Sequence, residues 1–135
     1  MSARRLLPVK PVIPGPCTGE VVLVSRYLSF FGEVDPERGC IRGERGACFA
    51  GKVLVFPGSR GSTVGPYVIY ALRKAGVAPI CMIVEEVEPM LVAGCVLGEI
   101  PLYKTIGWSI VELEGVYALR VVECKEGLHC VEPAI

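Results

Sequence analysis

The sequence predicts a single α/β domain organised on one β-α-β unit with additional short strands. Three observations carry that expectation. The 135 residues are the length of one domain, enough to bury roughly two thirds of the unfolded surface. An apolar run from Lys52 to Phe56, rich in β-branched and aromatic residues, leads through Gly58-Ser59-Arg60-Gly61-Ser62-Thr63 into a stretch of helical period, Val64 to Ala75. A second apolar run, Ala78 to Val84, completes the unit, and such crossovers are right-handed.

Residues 1–18 carry Pro8, Pro11, Pro14 and Pro16 among apolar residues and read as an extended arm lying on a surface, within one domain spanning 1–135. Glu20 to Val24 is a strand whose continuous apolar run suits burial on both faces. The stretch from Leu28 to Gly39 is a packed turn or a cleft wall, with Asp35-Pro36 opening a turn that Gly39 ends. Cys40 to Cys48 is charged and reads as exposed. In the central helix Val64, Val68, Leu72 and Ala75 define an apolar face, Pro66 suits the first turn and Gly76 the C-terminal cap. Glu85, Glu86 and Glu88 precede and cap a further helix, Pro89 to Leu97, and otherwise form a solvated edge or line a site. Short strands follow at Pro101 to Tyr103, Ser109 to Leu113 and Val116 to Val122, the last two joined by a tight turn at Glu114-Gly115.

Fourteen basic residues balance fourteen acidic ones, so no net field favours nucleic acid or an anionic membrane. No apolar run approaches the ~18 residues of a membrane span, and the early prolines interrupt a signal-peptide core, so the expected location is cytoplasmic. The chain has no Asn and no Gln but 11 prolines, a pattern associated with hyperthermophile proteins. Seven cysteines form no Cys-x-x-Cys pair, which argues against a metal or iron–sulfur site held by this chain. They read as buried thiols, with a Cys124–Cys130 disulfide left open because hyperthermophile proteins use disulfides inside the cell.

The chemistry concentrates at Gly58 to Thr63. A strand, a glycine turn and a helix start aim backbone N–H groups and a positive helix end at whatever sits above the turn. Ser59, Ser62, Thr63 and Arg60 suit a carboxylate or phosphate, or a serine that must lose its proton; the alternative is a turn in which Ser62 or Thr63 only caps the helix. A Ser-His-Asp triad would need both the one Asp, Asp35, and the one His, His129, and Ser62 lacks the glycines of a nucleophile elbow. The loop also lacks the lysine and glycine spacing of a P-loop.

Leu28-Ser-Phe-Phe-Gly-Glu-Val-Asp-Pro-Glu-Arg-Gly39 together with Gly51-Lys-Val-Leu-Val-Phe-Pro-Gly-Ser-Arg-Gly-Ser62, at this separation, resembles the small subunit of the aconitase X family. The similarity runs from about Gly19 to Ile100. It implies an aconitase-like swivelling domain in which the β-α-β unit and the short strands form a barrel-like sheet. The implied partner is a large subunit carrying a [4Fe-4S] cluster, paired with this chain as a heterodimer, and this chain would bind no cofactor alone. The implied activity is a hydro-lyase reaction that dehydrates (R)-5-phosphomevalonate to trans-anhydromevalonate 5-phosphate in the archaeal mevalonate pathway of isoprenoid biosynthesis. Alternatives are another aconitase X dehydratase, for example one acting on a hydroxyproline, or a non-catalytic anion-binding or assembly module.

By motif position the resemblance makes Ser62 the proton acceptor, as an alkoxide that removes the proton beside the substrate carboxylate, while cluster iron of the partner acts on the leaving hydroxyl. Arg60, Gly61, Ser59 and Thr63 would support the oxyanion or hold carboxylate or phosphate, and Ser29, Phe30 and Gly32 would form a second wall of the cleft. Family members often carry a second glycine where Glu33 stands, which leaves that wall's chemistry open here.

Overall fold

The computed structural model describes residues 5–43, 47–60 and 64–134. In chain order these residues form β1 (Leu7–Ile13), β2 (Thr18–Leu23), α1 (Phe30–Glu33), β3 (Val34–Asp35), β4 (Cys40–Ile41) and β5 (Val53–Phe56). Then follow α2 (Gly65–Lys74), β6 (Cys81–Val84), α3 (Pro89–Leu97), β7 (Leu102–Thr105), a 3-10 turn (Ile110–Leu113), β8 (Ala118–Lys125) and β9 (Leu128–Ala134). Strands β1-β7-β6-β5-β2-β8-β9 close into a barrel, β9 pairing back onto β1, while β3 and β4 make a small separate ribbon.

The alternation along β5 shows how the barrel is built. Val53 and Val55 join Leu7, Val9, Ile83, Tyr103 and Val131 in one buried cluster that fills the barrel. Leu54 and Phe56 point the other way, into a second cluster with Ile69 and Leu72 of α2 and Leu91 and Cys95 of α3. Both faces of β5 and β6 are therefore buried, as their unbroken apolar runs predict. Helices α2 and α3 approach closely because Gly94 has no side chain: a Cβ there would lie 2.5 Å from Ile69 Cδ1.

The β-α-β unit falls where the sequence predicts it, and the barrel and swivel-type architecture match expectation. The buried stripe of α2 is rotated from the expected one: Pro66, Ile69 and Leu72 are buried, whereas Val64 is exposed. Three expectations are corrected. The N-terminal arm is, from Leu7 to Ile13, a barrel strand: Leu7 and Val9 alternate inward, and the Pro8 carbonyl accepts from Ile106 N and Trp108 Nε1. Ser109 to Leu113 is a turn, not a strand; the Ser109 hydroxyl caps it and Ile110 and Leu113, three apart, are buried on one side. The closing hairpin is β8–β9, turning at Gly127 with φ of 74°, rather than at Glu114-Gly115.

Six cysteines are paired, Cys17–Cys81 inside the barrel, Cys40–Cys48 and Cys124–Cys130, so the buried-thiol expectation holds only for Cys95. Burial pushes the Cys95 thiol up to about 12. The folded chain should therefore show three disulfides by mass and leave Cys95 unreactive toward iodoacetamide near about pH 8 until unfolded. Breaking Cys17–Cys81, which spans 64 residues, should cost about 4 kcal/mol in a denaturant titration.

Candidate active site

Strands β2, β5, β6 and β7 run parallel, so their carboxyl ends share one rim of the barrel. Loops leaving parallel strands converge at that rim, which makes it the usual place for a ligand. Here the loops after β2, β5 and β6 are joined by backbone hydrogen bonds. Leu28 N donates to Gly58 O at 3.0 Å and Arg60 N donates to Leu28 O at 2.8 Å, a parallel bridge between Leu28 and Ser59. Glu85 N and Glu86 N both donate to Pro57 O, at 3.0 and 2.9 Å.

Gly58 is needed by its surroundings. A Cβ there would stand 3.1 Å from Tyr27 Cε2 and 3.3 Å from Glu86 O. Tyr27 lies across this glycine and donates its phenol proton to the Glu86 carboxylate. That hydrogen bond holds the phenol above its ordinary 10.0, with desolvation and the nearby Glu86 and Glu85 charges acting the same way.

The predicted residues divide into those the structure brings together and those it does not describe. Gly61, Ser62 and Thr63 lie outside the described residues. Ser59 is half-buried, and its hydroxyl donates to Glu88 Oε1 at 2.6 Å. Arg60 is exposed beside it, and its guanidinium has no partner among the described residues. Ser29 is half-buried at the start of α1, its N–H donating to Glu33 Oε2 at 2.7 Å and its hydroxyl making no cap bond to the helix. Phe30 is more core than wall, 3% exposed and edge-on to Phe56 with ring centroids 5.8 Å apart, while Gly32 is exposed. Glu33 ties the wall down: it accepts from Ser29 N and pairs with Arg26. Helix α2 begins with Val64 at the N-cap, whose side chain offers no acceptor to the first helical N–H groups.

Of the three glutamates after β6, Glu86 is exposed as a solvated edge would be, whereas Glu85 and Glu88 are half-buried and tied down. Glu85 accepts from Ile110 N at 2.8 Å, Glu86 from Tyr27, and Glu88 from Met90 N, Leu91 N and Ser59 Oγ. The helix-start signal of Glu88-Pro89 was visible in the sequence. Its reach back to Ser59, 29 positions away, carried no local signal.

Phe30, Ser59, Arg60, Gly65, Glu88 and Met90 line a crevice of only about 10 Å³, room for a single water. A larger groove of about 530 Å³ lies elsewhere, between Thr18-Gly19, Leu119-Arg120 and Glu132-Pro133; its Arg120–Glu132 ion pair at 2.5 Å cancels its own charge. At the crevice rim the exposed Arg60 guanidinium, with no hydrogen bond or ion pair among the described residues, and the parallel-strand ends coincide. Among the described residues no three His, Cys, Asp or Glu side chains lie together as metal ligands, and six cysteine sulfurs are committed to disulfides. That donor set does not fit an iron–sulfur cluster held by this chain. No described helix is long and apolar enough to cross a membrane.

A barrel of this topology, with its candidate site on the parallel-strand rim and open to the outside, is a swivel-type domain. Residues 6–129 match the aconitase X swivel domain, and the chain belongs to that family. The phosphomevalonate dehydratase small subunit of Aeropyrum pernix is 51% identical over 94 residues, covering 70% of this chain and 69% of that one. The corresponding subunit of Thermococcus onnurineus is 40% identical over 127 residues, covering 91% and 95%. The crystal structure of Thermococcus kodakaraensis aconitase X in its holo-form matches with a TM-score of 0.82 at 36% identity, over 97% of this chain and 99% of that chain.

A phenol whose pKa is raised by folding contributes stability below its unfolded value, and the contribution is lost as pH rises through the folded value. The unfolding midpoint should accordingly fall as pH passes 10.0, and less steeply in Tyr27→Phe, with one late component missing from that variant's ultraviolet phenolate titration.

Proposed function

We propose that this chain is the small subunit of a phosphomevalonate dehydratase, a hydro-lyase converting (R)-5-phosphomevalonate to trans-anhydromevalonate 5-phosphate. The observation that carries the reading is the alignment with the Thermococcus onnurineus subunit of that name, at 40% identity through 95% of its length. The rim geometry agrees with a shared site. The crevice of about 10 Å³ is by itself too small to enclose a six-carbon phosphorylated acid, which supports a reading in which a large subunit supplies remaining walls. An iron–sulfur cluster of that partner would supply Lewis acidity toward the departing hydroxyl.

This chain's residues would bind and deprotonate. Arg60, rooted in the Leu28 bridge and with an exposed guanidinium that has no hydrogen bond or ion pair among the described residues, offers a planar fork of donors to the substrate carboxylate or phosphate. Ser62, two residues on, is the base: its alkoxide takes the proton beside the carboxylate, the C–H electron pair forms the double bond, and hydroxide leaves. A serine alkoxide needs stabilisation in place, and the positive N-terminal end of α2, which begins at Gly65 just beyond the loop, is suited to supply it. The walls from Ser29 to Gly32 would exclude water from one side.

With its large subunit the chain should remove one water from phosphomevalonate, seen as product mass; alone it should show neither turnover nor cluster absorbance. Ser62→Ala should assemble normally yet lower kcat by at least about a hundredfold. Near-normal turnover in that variant would remove Ser62 as the base, and turnover by the isolated chain would remove the shared-site reading.

A further inference from the structure

Resting on the reading of Arg60 as an anion contact, we propose that Glu88 is a positioning residue: it fixes Ser59 and thereby the direction in which Arg60 leaves the rim. The Glu88 carboxylate is itself fixed by α3. Oε1 accepts from Leu91 N at 2.9 Å and Oε2 from Met90 N at 3.0 Å, so it cannot rotate without uncapping the helix. To that anchored group Ser59 Oγ donates at 2.6 Å, in the range of a charge-assisted O–H···O bond. The backbone on either side of Ser59 is held as well, by Gly58 O and Arg60 N to Leu28. Ser59 is thus restrained from three directions, and Arg60 departs from a fixed point.

Two consequences follow from the chemistry of the hydroxyl. A serine has one proton to donate, and this one is committed to Glu88, so Ser59 presents only lone pairs elsewhere and is not a donor to a substrate anion. Its part in anion recognition is exercised through its neighbour. Holding the root of a long, rotamer-rich arginine lowers the ordering cost when its fork closes on an anion, which is expressed in substrate affinity more than in the rate of the chemical step.

Glu88→Asp separates this role from helix capping. Aspartate is a good N-cap, but its side chain stops about 1.5 Å short of Ser59. In the assembled complex Glu88→Asp should raise KM for phosphomevalonate about tenfold with kcat within about twofold, while thermal unfolding changes little. In the isolated full chain the Arg60 amide should exchange faster with solvent. Ser59→Ala, which leaves Glu88 and its cap intact, should reproduce both effects, and the double variant should be no worse than either single one. An unchanged KM or unchanged Arg60 exchange in these variants, or effects that multiply in the double, overturns the proposal. A wild-type complex that leaves phosphomevalonate intact overturns the functional reading instead, and Arg60 exchange then still decides whether Glu88 fixes the loop.

Discussion

The short parallel bridge between Leu28 and Ser59 is the contact on which the rim depends. Strands β2 and β5 pair in parallel up to Leu23 and Val55, separate, and meet again through Leu28 N to Gly58 O and Arg60 N to Leu28 O. Each such bond contributes only about 1 kcal/mol net when made. Leu28 is fully buried, however, and Gly58 is buried too, so breaking the bridge would strand polar groups away from water at about 1–3 kcal/mol each. The bridge is therefore costly to break, which would suit a segment that holds one arginine in one place, as the proposed reading requires.

Around the bridge the barrel supplies rigidity and the carboxylates supply reach. Glu33, Glu85, Glu86 and Glu88 each connect two segments that are distant in the chain or turn sharply: the α1 wall to itself and Arg26, the loop after β6 to the 3-10 turn, the same loop to Tyr27, and α3 to Ser59. Glu33 is ion-paired with Arg26, whereas Glu85, Glu86 and Glu88 accept from neutral N–H and O–H donors and keep their negative charge. On the proposed reading an anionic substrate would be received by the exposed Arg60 guanidinium itself rather than by the net charge of the rim.

The β-α-β unit was legible because its apolar runs, its Pro66 and its Gly76 all agree locally, and glycines and hydroxyls marked the loop after β5, of which Pro57 to Arg60 are described. The two-motif resemblance then pointed to the aconitase X family, to which the chain belongs. What escaped depends on pairing at long range. Four prolines in the first eighteen residues argued against a strand, yet Pro8 and Pro11 take β1 positions opposite Cys130 and Tyr103, and the strand is specified by Leu7 and Val9 meeting a barrel interior built from the rest of the chain. Ile110 and Leu113 looked like part of a strand because a four-residue stretch with three apolar residues does not distinguish a strand from one helical turn. The disulfides Cys17–Cys81 and Cys40–Cys48 join positions that no local spacing relates to a bond.

The central claim is that the barrel exists to hold Arg60 toward an anion at a shared rim. Substrate affinity of the reconstituted complex bearing Arg60→Ala tests it most directly, measured together with complex formation by sedimentation. The account predicts that the two subunits still assemble and that KM for phosphomevalonate rises by about two orders of magnitude, the loss of a bidentate charge-assisted contact. Loss of assembly with an unchanged KM in whatever complex forms would contradict it, and would make Arg60 a contact to the partner protein rather than to the substrate.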